Sequence, residues 1–230
     1  MARLVTATSI VDAIATDLRT RILTGELTPE VLLTETQIGT SYDVARPTAK
    51  ASIEKLVAEG LLVRGVHKTA RVVDLGPESV RDIYLARAYL ESEVLRRLAR
   101  TRTVPEGAAE ANRDIAAVGE SVMAVVEPDM RFHTSIIDAI GSERTSKMYR
   151  SLVSEVRLCM TRVQSLHLIS TDLIRAEHQK LLELIEAGDG DGAALLLDEH
   201  LGRARERLVA AFGGVAGPEA NVPSDLAPAT

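Results

Sequence analysis

From residue 78 to residue 212 the apolar residues recur at helical spacing, and almost nothing alternates as a strand would. One stripe runs through Val80, Ile83, Tyr84, Arg87, Leu90, Val94 and Leu98, and another pattern covers about Glu106 to Val126. Phe132, Ile136 and Ile140 follow, then stripes from Lys147 through Val163, Leu173 through Ile185 and Ala193 through Phe212. About six helices in such a length make an all-α bundle. The segment Asp74 to Glu78 (DLGPE) is a Pro/Gly connection, so three regions are expected: 1–74, 78–212, and a Gly/Pro/Ala-rich tail over 213–230 read as disordered.

Residues 1–74 follow a different rule. Ser9 is placed to cap a helix carrying Ile10, Ile14, Leu18 and Ile22 and ending near Gly25. A short helix starts at Thr34, with Glu35 beside its positive end and Ile38 facing inward. A third runs from about Ala45 to Ala58 with Ala49, Ile53, Leu56 and Val57 as its buried stripe and Gly60 as its stop. After Gly60 the pattern becomes two short β-like runs, 61–64 and 70–73, around a basic turn. Three helices followed by a hairpin make a winged helix-turn-helix, so the chain is expected to be mainly α.

Charge agrees with that reading locally rather than globally. The formal net charge is −6, which excludes a uniformly basic nucleic-acid coat. Between Val44 and Val73, however, Arg46, Lys50, Lys55, Arg64, Lys68 and Arg71 face only Glu54 and Glu59. A helix presenting Arg46, Thr48 and Lys50 near its start can enter the major groove, where arginine bridges guanine O6 and N7. His67 and Lys68 at the hairpin tip are the matching candidates for an adjacent groove or phosphate, although a solvated turn reads the same way. Cys159 is the only cysteine, which excludes an intrachain disulfide and Cys-based zinc sites and suits a reducing cytoplasm. No run approaches the roughly 18 apolar residues of a membrane span. Asp12 interrupts the stretch an export signal would need.

The order ILTGELTP and then VARPTAKASIEKLVAEGLLVR, over about residues 10–73, resembles the N-terminal domain of the GntR family of bacterial transcription regulators. The resemblance implies a homodimer reading a two-fold operator. Departures from the family pattern are Glu30 after the proline, Thr36 at a common arginine position, Ala45 before Arg46, Lys50 for a second arginine, and His67 at the wing-tip glycine. Lysine does not repeat the planar two-point hydrogen bonding of arginine, so a shifted operator sequence is expected.

In the bundle, Asp129 and His133 stand i, i+4 on one helix face, with His178 and His200 on two further helices. One carboxylate and three imidazoles suit a divalent transition metal such as zinc, nickel or manganese, with positions left open on an octahedral ion. Taken singly, each histidine also fits a structural or surface role. MRFH preceded by Asp129, then AEHQKLLELIEAGDGDGAALLLDEHL, is similar to the ligand-sensing FCD domain of the FadR-type subgroup, over about residues 78–212. That resemblance implies the metal ligands Asp129, His133, His178 and His200. It also implies that Arg87, in an R-x-x-L-E core, anchors a small carboxylate effector. Arg87 and Glu91 equally describe a helix-surface ion pair. The resulting expectation is a metabolite-responsive regulator, most commonly a repressor. The competing readings are a metal-dependent hydrolase or lyase, weakened because Glu177 and Glu199 point about 100° from their neighbouring ligands, and a purely structural metal.

Overall fold

The structure is a computed structural model and describes residues 9–29, 31–65, 69–118 and 122–221. The chain divides after Asp74 into two compact units. In the first, Ser9 accepts the Asp12 amide and opens α1 (Ile10–Leu23). Ile14, Leu18 and Ile22 are buried, but Ile10 is 56% exposed, so the inward stripe begins one turn later than its sequence suggests. Strand β1 (Leu32–Thr34) was not legible, because three residues are too few to show alternation; it exists through antiparallel pairing with β3. Thr34 and Gln37 cap each other's backbone in a capping box that starts α2 (Glu35–Ser41).

Helix α3 (Arg46–Ala58) packs on α1 and α2 through Ala49, Ile53 and Leu56. Val57, expected inside, is only half-buried, and Ser52 takes its place with a hydroxyl donating to the carbonyls of Thr48 and Val11. Ala45 caps α3 without a side-chain hydrogen bond. Gly60 takes the left-handed conformation that ends the turn after α3, with φ 74°. Strands β2 (Leu62–Arg64) and β3 (Thr69–Val72) then pair antiparallel, completing a three-stranded sheet in the order β1-β3-β2. Glu30, His67 and Lys68 lie outside the described residues.

The second unit is helical among its described residues: α4 (Pro77–Thr101), α5 (Glu106–Ala117), a 3-10 turn (Val122–Val125), α6 (Val126–Asp138), α7 (Glu143–Arg150), α8 (Val153–Ser165), α9 (Thr171–Ala187) and α10 (Gly190–Ala211). The single stripe read from Lys147 to Val163 is two helices. The Ser151 amide is shared between the carbonyls of Lys147 and Met148, and the Leu152 amide donates to Tyr149, a tightening that ends α7 and re-aims the chain, and periodicity does not register it. Gly188, at φ 85°, closes α9 in the left-handed conformation, and Asp189 caps α10 by accepting the Gly192 amide. Helix α10 then packs along α4, while α5 packs on α6 and α9. No helix among the described residues is long and apolar enough to cross a membrane.

The expected disorder of the tail needs correction over residues 213–221. The Gly214 amide donates to Val209, the Gly217 amide donates to Glu206 at 2.7 Å, and Pro218–Asn221 forms a 3-10 turn. Arg207 and Arg81 donate to the carbonyls of Ala220 and Val215. Composition misses this because the fastening is by charged side chains of α10 and α4 rather than by an apolar stripe of the tail itself.

Burial alone would raise the Glu206 carboxyl, but the Gly217 amide and the Arg205 guanidinium outweigh it and hold it below its ordinary value. A depressed carboxyl contributes stability that is complete above its unfolded pKa and is lost as pH falls through the lowered folded value. Glu206→Gln is therefore expected to weaken the attachment of 213–221 at neutral pH by about 1.5–3 kcal/mol. Limited proteolysis checks this: tail cleavage should be faster in the variant, and in the wild type should accelerate only under acid conditions.

Candidate metal centre and anion pocket

Four elements bring the polar centre together. Helix α6 carries Asp129 and His133 one turn apart, α9 carries His178, α10 carries His200, and α4 supplies Tyr84, Arg87 and Glu91. Asp129, His133, His178 and His200 are all buried, and one donor atom from each lies within 4.8 Å of the others. The Asp129 Oδ1 atom is 3.6 Å from His178 Nε2 and 3.9 Å from His133 Nε2. Bonds of about 2.0–2.2 Å to a common ion would draw such a set together by modest side-chain movement.

The hydrogen bonding around these ligands favours that use. His133 Nδ1 meets Glu91 Oε2 at 2.6 Å, and His200 Nδ1 meets Glu177 Oε2 at 2.8 Å. An ionised carboxylate only accepts, so each Nδ1 carries a hydrogen and Nε2 is the ring atom left for a metal. His178 stacks on Phe132 with ring centroids 3.7 Å apart and has no hydrogen-bond partner on either nitrogen. Asp129 Oδ1 and His133 Nε2 also lack a partner. Buried polar atoms left this way cost about 1–3 kcal/mol each, and here they converge on one point. Burial, followed by the neighbouring His133 and His200, holds His178 well below its ordinary pKa, which keeps the lone pair available. The donor set therefore fits a divalent transition metal.

Glu91 organises the other half of the centre. Its Oε1 accepts from Arg87 Nε at 2.9 Å and from the Tyr149 hydroxyl at 2.8 Å, while its Oε2 serves His133. The Arg87–Glu91 pair is thus buried, at 4% and 1% side-chain exposure, which overturns the surface ion-pair alternative. Burial works against the Glu91 carboxylate, but His133 and Arg87 outweigh it and hold it well below the usual range. Arg87 Nη2 and the Tyr84 hydroxyl remain buried and unpartnered. Both residues line a small cavity of about 20 Å3 together with Asp129 and His200. Arg157, on the neighbouring α8, pairs with Glu127 and does not line this space.

Sequence reasoning missed Glu91 and Glu177 as orienting groups. Glu177 does point away from its neighbour His178, but it serves His200 on the next helix and also accepts from the buried Arg203. The only available signal was position: Glu91 lies one turn after Arg87, and Glu177 directly precedes a ligand. With both carboxylates committed to imidazoles, neither is free as a general base, which removes the support for hydrolase chemistry.

In the first unit, Arg46 is exposed at the start of α3 and donates through Nε to the buried Glu35 at 2.8 Å. Lys50, one turn on, is exposed and has no ion-pair partner among the described residues; Thr48 is half-buried between them.

A three-helix head with a β wing, joined to a helical body with a buried polar centre, is the architecture of a DNA-binding regulator with a sensing domain. The family model for the FCD domain matches residues 82–203, and that for bacterial regulatory proteins of the gntR family matches residues 10–72. The chain belongs to the GntR family and carries an FCD domain; it is a DNA-binding transcriptional regulator and not an enzyme. Among solved structures, a GntR transcriptional regulator from Rhodococcus sp. RHA1 is 22% identical with a TM-score of 0.74, covering 88% of this chain and 98% of that one. E. coli McbR/YncC is 16% identical with a TM-score of 0.67, covering 90% and 100%. Listeria monocytogenes Lar, described as controlling expression of the agr system, is 12% identical with a TM-score of 0.63, covering 88% and 98%. These likenesses establish the fold. No curated protein matches the chain significantly.

Proposed function

We propose that the protein is a cytoplasmic, homodimeric repressor of the FadR-type subgroup whose helical body binds one divalent transition metal and a small carboxylate. Asp129, His133, His178 and His200 would hold the ion, which is zinc, nickel or manganese by its donor chemistry. A bound ion supplies open coordination positions for a ligand oxygen. Arg87 takes the effector carboxylate through its unpartnered Nη2. The observation that carries this reading is the convergence of buried, unpartnered donor atoms on Asp129, His133 and His178 beside that guanidinium.

The DNA contacts are Arg46, Thr48 and Lys50 on α3, with His67 and Lys68 from the wing. Two copies would place two α3 helices about one duplex turn apart on a two-fold operator. Effector binding relieves repression if the two head arrangements bind the effector with different affinity. Glu91 ties the effector anchor to the metal site, since one carboxylate holds both Arg87 and His133.

The test is a fluorescence-anisotropy titration against upstream promoter DNA, with metal content assayed first and small carboxylates added. Sequence-dependent binding weakened by one acid supports the proposal; binding indifferent to sequence overturns it. Arg46→Ala is expected to weaken operator binding by about 1–3 kcal/mol and to relax preference at one base position. Unchanged affinity and preference would remove Arg46 from the recognition set.

A further inference from the structure

We propose that the connection between α8 and α9, residues 166–170, is the gate through which ions and ligands reach the buried centre, and that Arg207 of α10 is its latch. The inference rests on the metal site proposed above and adds how that site is entered.

The first argument is room. The cavity beside Arg87, Asp129 and His200 measures about 20 Å3, space for about one water. Asp129, His133 and His178 are at most 2% exposed, so a hydrated ion or a small acid reaches them only if part of the wall moves. Every lining residue but Ile169 belongs to a helix, where displacement breaks a ladder of backbone hydrogen bonds.

The second argument is how that one residue is held. Ile169 is buried, whereas Leu166, His167 and Ser170 around it are exposed, so it plugs the cavity from a connection that otherwise faces solvent. The amides of Leu166, His167 and Leu168 donate only to the last turn of α8, at Arg162, Gln164 and Val163. His167 stands at φ 53°, the left-handed conformation that residues other than glycine adopt at a cost. Among the described residues, the one hydrogen bond to this connection from an element other than α8 and α9 is Arg207 Nη1 to the Leu168 carbonyl, at 2.8 Å.

The third argument is that the latch is itself braced. Arg207 Nε donates to the Ala220 carbonyl at 3.1 Å, so the fastened segment 213–221 holds the guanidinium in place. These bonds belong to the closed wall whether or not an ion is bound. Removing them therefore speeds entry and release together and leaves Kd unchanged, because a shift in affinity needs a difference between the bound and free states.

The experiment follows zinc release from the loaded full-length protein to an excess of coloured chelator by stopped flow, beside hydrogen exchange of the 163–172 amides in the metal-stripped protein. Arg207→Met is expected to release zinc roughly tenfold faster with Kd within about twofold, the effect of losing one charge-assisted hydrogen bond from the closed form. Its 166–168 amides should exchange faster by a similar factor while those of α4 keep the wild-type rate. Arg207→Lys, which keeps one donor, should fall between. If Arg207→Met does not fold, Glu206→Gln loosens the brace instead and should move both readouts the same way by a smaller factor. Unchanged release and exchange would overturn the gate, and faster release matched by an equal loss of affinity would overturn the latch, making Arg207 a support of the site itself. A wild type that takes up no zinc would overturn the metal reading alone. The exchange arm needs no metal and then decides the gate, which fails if the 166–168 amides are indifferent to Arg207.

Discussion

Glu91→Ala is expected to destabilise the helical body by about 3–5 kcal/mol, the usual result of stripping one partner from a buried ion pair. Three groups lose their acceptor at once. Arg87 keeps its charge at 4% side-chain exposure with nothing to match it, the Tyr149 hydroxyl loses its 2.8 Å bond, and His133 loses the carboxylate that fixes its Nδ1 hydrogen. For a domain of this size the melting temperature should fall by about 10 °C at neutral pH. The double variant Glu91→Ala/Arg87→Met should recover a large part of the loss, because it removes the uncompensated guanidinium. Thermal melts of the single and double variants decide the matter. A Glu91→Ala protein melting with the wild type would show that the buried network contributes nothing.

The second large effect concerns the metal. His178 is fully buried, stacked on Phe132, and 3.6 Å from Asp129 Oδ1 with no hydrogen-bond partner on either nitrogen. Within the protein alone it is an unsatisfied polar group; as a ligand it is satisfied. Metal added to the stripped wild type should stabilise it by linkage, about 4 kcal/mol at a free concentration a thousandfold above Kd. His178→Ala is expected to lose that increment and its stoichiometric metal, while the stripped forms differ far less. Elemental analysis and melts with and without chelator check this. Full metal content in the variant would overturn the assignment of His178 as a ligand.

The candidate site was half legible for a chemical reason. Metal ligands are few residue types at helical spacing, so Asp129 and His133 stand out on one helix, and His178 and His200 complete a recognisable donor set. Orienting groups carry no such mark. Glu91 falls in a stripe where apolar counting favoured Leu90, which is only half-buried, and Glu177 faces a different helix from the histidine beside it.

Period and punctuation in the sequence determined most of the helices, the β2–β3 hairpin and the division into a DNA-binding head and a helical body. Those features rest on local rules, the 3.6-residue repeat, Ser9 and Thr34 as caps and Gly60 and Gly188 as stops, that operate within one or two turns of chain. Only the tertiary structure decided what depends on packing between distant segments. Strand β1 forms because β3 offers it hydrogen bonds, and residues 213–221 are fastened by Glu206, Arg207 and Arg81. Glu91 joins Arg87, Tyr149 and His133 from three helices, a convergence that no spacing along one helix encodes.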